Sequence, residues 1–221
     1  MLRKVLLVSA VALVVFAQGV FAGDHRFEIT PTIGYSFSEG VEVDDREIPI
    51  EGGLVVTKVG PESGMSYGVG IDAYFRRDGM VGFNWSRQES NFLADVRTVG
   101  NTELTGMSID NFHGIFTYIR EDLHAQASPF VFGGLGATYY SFSDFLGREV
   151  NSETKFSTTW GAGVRVYPHE KIGVKFTGRW TPTYIKTDTE GYWCDYYGCW
   201  AVGDSDYSHQ FELSGSLMLL F

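Results

Sequence analysis

Cysteine, positive charge and long apolar runs are what this chain has least of, and each scarcity closes off a class of protein. Only two cysteines, Cys194 and Cys199, occur in 221 residues. A C-x4-C with no second Cys or His pair nearby is a poor zinc site, so the pair reads as a local disulfide in an oxidising compartment. Lys and Arg number 17 against 27 Asp and Glu. With no basic patch interleaved with aromatics, nucleic acid is excluded as a partner. Acidic residues such as Asp44, Asp45, Glu47, Asp188, Glu190, Asp204 and Asp206 lack the regular spacing of a calcium loop and read as solvated charge. The glycines of Gly133 to Gly136 lie in a strand pattern with no helix after it, so they form no phosphate cradle and instead relieve crowding between strands. No metal or cofactor is expected.

The one long apolar run lies at the start. Arg3 and Lys4 precede Val5 to Phe16, and Val20-Phe21-Ala22 supplies a small-residue cleavage pattern, so residues 1–22 read as an export signal and the mature chain as starting at Gly23. The run is shorter than the roughly 20 residues a spanning helix needs, which disfavours the alternative of a membrane anchor. Residues 23–221 are then expected to form a single domain. Without Arg3 and Lys4, 15 basic residues face 27 acidic ones, and the mature charge falls near −12.

After Gly23 the apolar residues recur with period two, and no helical pattern is found. Eight strands are predicted at about 25–37, 66–76, 80–88, 107–120, 129–142, 155–167, 172–184 and 207–221. In the first, Phe27, Ile29, Ile33, Tyr35 and Phe37 share a face opposite Glu28, Thr30 and Thr32. In the last, Phe211, Leu213, Leu217, Leu219 and Phe221 oppose Gln210, Glu212, Ser214 and Ser216. The strands at 107–120 and 129–142 are less decisive, since Ile115 and Ile119 oppose Phe112, Phe116 and Tyr118 and both faces of Phe130 to Phe142 are apolar or Gly, and their register stays open. Connections alternate between long (Ser38 to Met65, Gln88 to Gly106, Ser143 to Thr154, Ile185 to Asp206) and short (Arg77 to Gly79, Glu121 to Ser128, Pro168 to Lys171). An all-β, eight-stranded antiparallel up-and-down transmembrane barrel has this asymmetry, with short periplasmic turns, long extracellular loops and both termini on the periplasmic side.

Alternation alone does not say which face points outward. Eight strands enclose room only for side chains or one small ligand, and Trp160, Trp180, Phe176, Phe211 and Tyr67 would crowd such a space. The polar faces carry small residues and a few charges of both signs, where a solvated surface would be richer in Lys and Glu. The apolar face is therefore assigned to lipid. Glu28, Asp72, Arg165, Lys175, Arg179 and Glu212 then point inward as a charge cluster filling the lumen, with Glu212 between Arg179 or Lys175 on one side and Glu28 on the other. The alternative is that these charges interact separately with interior water.

The signal peptide, the eight-strand pattern, Pro129-Phe130-Val131-Phe132-Gly133-Gly134-Leu135-Gly136-Ala137 and the terminal Leu217, Leu219 and Phe221 together resemble the small outer-membrane β-barrel superfamily of OmpA, OmpX and opacity-type proteins. The resemblance covers essentially the whole mature chain. It implies a bacterial outer-membrane location, contact with outer-membrane lipid and lipopolysaccharide, and a monomeric barrel. It also implies that Phe221 and Leu219 form a terminal signal for the barrel assembly machinery. The small residue sought upstream falls at Ser216 beside Gly215, a departure from that signal.

For function, a structural or surface-interaction barrel ranks first, a small porin-like pore second and a hydrolase at the barrel rim a distant third. Trp193, Tyr196, Tyr197 and Trp200 flank the two cysteines in the last long loop. They could form an aromatic binding surface for an extracellular ligand or simply cover the barrel mouth. An enzyme is disfavoured: neighbouring strand residues Ser208 and His209 face opposite ways, no His-x-Ser occurs, and His113 reads as isolated.

Overall fold

The computed structural model describes residues 27–42, 56–96, 100–120, 127–142, 152–169, 171–185, 192–195, 198–201 and 207–221. Eight strands form the barrel: β1 Phe27–Glu39, β2 Gly64–Arg76, β3 Gly79–Val96, β4 Gly100–Ile119, β5 Ala127–Phe142, β6 Glu153–His169, β7 Ile172–Tyr184 and β8 Tyr207–Leu220. Each pairs antiparallel with its sequence neighbours. β8 returns to β1 through a ladder running from Glu28 opposite Leu220 to Glu39 opposite His209, which closes the sheet on itself. The fold is thus a closed eight-stranded antiparallel up-and-down β-barrel.

Side chains alternate across this wall as period two dictates. Leu213 is 63% exposed and Phe176 61%, whereas Glu28 is wholly buried and Arg165 is 1% exposed. A barrel with its oily residues outside and its ionic ones inside inverts the pattern of a water-soluble protein. The two strands whose register the sequence left open are settled by burial. Ile115, Ile119, Phe130 and Phe132 face inward, and Phe112, Phe116, Tyr118, Val131 and Leu135 face outward.

The inward apolar residues pack with Met80, and Tyr74 lies against them. Phe130 and Phe132 stack at 6.1 Å. Their rings fit because the facing positions on β6 are Gly161 and Gly163. A methyl group on Gly163 would run into the Phe130 ring and the Phe176 carbonyl, and one on Gly161 into the Phe132 ring and the Gly178 carbonyl. We expect Gly163→Ala to lower stability by about 1–3 kcal/mol, the usual cost of overpacking a filled interior, read as a reduced midpoint in urea unfolding of the refolded barrel. An unchanged midpoint would mean that the ring is free to move aside.

Three of the expected long loops contain strand among the described residues, the last of them as a separate ribbon of Tyr192–Asp195 with Gly198–Ala201. The stretch expected as a long loop from Gln88 to Gly106 is mostly strand, because β3 and β4 continue as a ribbon paired as far as Val96 opposite Gly100. The stretch from Ser38 to Met65 contains a strand at Val56–Pro61 that pairs with the upper part of β3, and a two-residue strand at Val41–Glu42 that pairs with it in turn. Neither segment has period-two alternation, since a ribbon extending beyond the barrel does not continue its apolar outer face. Residues 1–22, with the expected export signal, lie outside the described residues.

Candidate functional site

The lumen is where this sequence departs most from a simple packed interior. At the end near the short turns, Arg165 from β6 reaches across to Glu28 on β1 and forms a buried ion pair with it. The guanidinium donates from Nη2 to the Tyr74 hydroxyl (2.9 Å), from Nη1 to Met80 Sδ (3.0 Å) and from Nε to Met218 Sδ (3.3 Å). Glu28 also accepts from Thr30 at 2.9 Å and from Tyr74 at 3.2 Å, and lies 3.6 Å from Lys175 Nζ. Such dense pairing is what a buried charge requires, because an isolated one would be prohibitively desolvated. One layer up, Arg179 lies 3.9 Å from Glu212, directly across the β7–β8 ladder, and donates to Ser86 at 3.3 Å.

All six charges expected in the lumen are therefore brought to the interior, three acidic and three basic. Asp72 is buried and lines, with Lys175 and Arg179, a cavity of about 40 Å³ between the two ion-pair layers. One neighbour relation is corrected. Glu212 stands opposite Ser36 on β1, while Glu28 stands opposite Leu220. The stagger needed to close a barrel moves the two acids to different heights, so Glu28 finds Arg165 across the lumen. A second correction concerns filling: small residues and charges share the interior with the Phe130–Phe132 stack.

Above the charges lies a layer of neutral hydroxyls and amides. His113 Nε2 contacts Ser157 Oγ at 2.9 Å, so the histidine is not isolated as the sequence suggested. Ser157 meets Thr138 at 2.9 Å, Thr138 donates to Asn111 Oδ1 at 2.7 Å, and Asn111 Nδ2 donates to Gln210 Oε1 at 3.2 Å. Gln210 Nε2 then donates to Gln88 Oε1, and Gln88 Nε2 to the carbonyl of Glu62 at 2.8 Å. These positions are ordinary for polar strand faces, and no spacing rule would have singled them out.

A carbonyl only accepts, so the direction of this chain is fixed from its far end. Gln88 must turn its amide nitrogen to Glu62, Gln210 its nitrogen to Gln88, and Asn111 its nitrogen to Gln210. Thr138 donates to Asn111 Oδ1, and its oxygen also lies 2.9 Å from Ser157 Oγ and 3.2 Å from Thr183 Oγ1. The direction of the His113–Ser157 bond is set by the histidine tautomer, and both residues are wholly buried.

The remaining site residues lie elsewhere. Trp193 and Trp200 are opposite each other in a separate two-stranded ribbon, Tyr192–Asp195 with Gly198–Ala201, and its backbone register sets Cys194 opposite Cys199. The side chains of this ribbon, and Tyr196 and Tyr197 entirely, lie outside the described residues, and the disulfide stays an expectation. Phe221 is exposed on the outer surface and Leu219 half-buried. The amide of Phe221 donates to the Phe27 carbonyl at 2.9 Å.

A closed eight-stranded barrel with an apolar exterior and a filled, charge-compensated lumen has the fold of the small outer-membrane β-barrels. Two solved structures carry the likeness. Neisserial surface protein A is 12% identical, over 88% of this chain and 97% of that one, with a TM-score of 0.56. The outer membrane protein OprG from Pseudomonas aeruginosa is 13% identical, over 90% of this chain and 98% of that one, with a TM-score of 0.53. No protein-family model and no curated protein sequence matches the chain.

Proposed function

We propose that the chain is an integral barrel of the bacterial outer membrane with a structural or surface-interaction role, holding its long loops at the cell surface. The observation that carries this reading is the blocked lumen. The Arg165–Glu28 pair and the Phe130–Phe132 stack fill one end, and a cavity of about 40 Å³ lies against the stack. An open diffusion pathway is not expected from a lumen filled in this way. In planar bilayers the purified monomer should show no sustained open channels, and such channels would favour the porin-like alternative. On a detergent gel, unboiled and boiled samples should migrate differently, as for any folded barrel. A single position for both would remove the membrane-barrel reading.

The non-enzymatic reading is supported by the complete burial of His113 and Ser157, which keeps both from a substrate. Hydrolysis of lipid or peptide substrates by the refolded protein would reverse it. Outer-membrane lipid and lipopolysaccharide would surround the apolar exterior. The terminal strand with Leu219 and Phe221 would engage the barrel assembly machinery.

The outer connections supply the interaction surface. They carry a marked excess of acid, including Asp44, Asp45, Glu47, Asp188, Glu190, Asp204 and Asp206, whereas the lumen charges balance. A surface of this sign favours cationic partners and repels polyanions. Trp193 and Trp200, bracketing Cys194 and Cys199, are the anchors best suited to contact. If they act in this way, changing both to Ser should reduce adherence to cells or matrix while the gel shift is retained.

A further inference from the structure

We propose that the barrel thins the bilayer along β3 and β4, and that the ion pair of Arg87 with Asp110 on its outer face sets the height to which lipid headgroups come down. The inference rests on the membrane-barrel reading and adds where that membrane is distorted. On β4 the outward row runs from Tyr118 through Phe116 to Phe112, and on β3 from Val81 through Phe83 to Trp85. The next outward position on each strand is charged. Arg87 and Asp110 stand opposite each other in the β3–β4 ladder, 3.4 Å apart, and Asp110 also accepts from Trp85 Nε1 at 3.0 Å. Farther out on the same face, the Glu89 side chain is 72% exposed. At the other end Arg77 and Arg120 are exposed just past Gly79 and Tyr118.

The rows diametrically opposite are much longer. No charged residue stands on the outer face of β7 from Ile172 to Tyr184, or of β8 from Phe211 to Phe221. A pair of rings, Tyr184 and Tyr207 at 5.5 Å, ends both rows. With a rise of about 3.3 Å per residue and a tilt of about 40°, the row from Tyr118 to Phe112 is about 15 Å tall and that from Ile172 to Tyr184 about 30 Å. A membrane barrel ordinarily presents a band of about 25 Å. Tilting the molecule moves one row up and the other down but lengthens neither, so no flat bilayer matches both. Arg87 does not reach outward to the headgroups, because it is tied to Asp110, which is 7% exposed and held by Trp85. The headgroups and their water move in to the pair instead, at a modest cost for each ångström of thinning.

The test refolds the full mature chain into vesicles of dilauroyl or dioleoyl phosphatidylcholine and compares the folding equilibrium in urea. The wild type should favour the thinner, dilauroyl bilayer. Arg87→Leu with Asp110→Leu extends the apolar rows past the ion pair. Its preference for the thinner bilayer should fall about fivefold, the scale expected when several ångström of mismatch are relieved. As a control, Glu153→Leu with Lys155→Leu removes an ion pair of 2.9 Å from the inward row of β6 and should leave the preference unchanged. If the β3–β4 variant gives no folded gel band, spin labels carry the test. In a chain with both cysteines changed to Ser, Phe112→Cys and Phe211→Cys each take a nitroxide. A water-soluble nickel chelate should reach the label replacing Phe112 but not the one replacing Phe211, although the latter lies farther along its strand from the short-turn end. A wild type with no folded band in either vesicle would overturn the membrane reading and this inference together. With that band present, four results would overturn the inference alone: no preference for the thinner bilayer, an unchanged preference in the β3–β4 variant, an equal fall in the control, or exclusion of nickel from the label replacing Phe112.

Discussion

Glu28→Leu should destabilise the barrel by about 3–5 kcal/mol, the cost of stranding buried charge, and should do so more severely than Arg165→Met. Glu28 is the single carboxylate serving two cations: Arg165, in direct contact with it, and Lys175 at 3.6 Å. Its removal strands Arg165, only 1% exposed, and leaves Lys175 with Asp72 as the acid sharing its cavity. Removing Arg165 instead leaves Glu28 with Lys175, Thr30 and Tyr74, all within reach. The double variant Glu28→Leu with Arg165→Met should lose less than the sum of the two, because groups that share a contact are not additive. Urea unfolding of the four proteins in vesicles, followed by tryptophan fluorescence, measures all three quantities. Equal and additive losses would mean that the pair does not act as a unit.

Leu213→Arg should cost about 2–4 kcal/mol, the penalty for a cation on the lipid face near the bilayer midplane. Leu213 lies midway along β8, 63% exposed on the outer surface, between Phe211 and Leu217 on the same face. In a water-soluble barrel the same change would relieve an exposed apolar residue and cost almost nothing. Leu213→Phe is the matched comparison and should be tolerated in either setting. The same unfolding experiment in vesicles decides: a stability equal to wild type for Leu213→Arg would remove hydrocarbon from the outside of this molecule.

Much of the wall was legible in the sequence because an apolar exterior imposes strict alternation on every strand that has small or polar neighbours inside. β1, with Phe27, Ile29 and Ile33 against Glu28 and Thr30, shows it plainly. β4 and β5 do not, because their inner faces carry Ile115, Ile119, Phe130 and Phe132, the rings that fill the space left by Gly161 and Gly163. Where both faces are apolar, periodicity has nothing to report. The ribbon beyond the barrel was hidden for the converse reason: Glu89, Ser90 and Asn91 alternate nothing, yet they pair.

Within the lumen, charged residues stood out on otherwise simple strands, so all six were found. Their partners were not, since the choice of Arg165 for Glu28 depends on barrel stagger and on reach across the interior. The His113 chain left no trace at all. Hydroxyls and amides from β3, β4, β5, β6 and β8 meet only once the sheet is closed, and their spacing along the chain is arbitrary.

The seam between β1 and β8 has a kinetic consequence. Its ladder joins segments from opposite ends of the sequence, Glu28 opposite Leu220, so it is the contact of greatest loop-closure cost. Until it forms, the eight strands make an open sheet joined by seven ladders, with a row of bare peptide groups along each edge. On the proposed membrane reading these edges would find no partner in hydrocarbon, so closure is coupled to insertion, and substitutions near Phe27 and Phe221 should slow the final step.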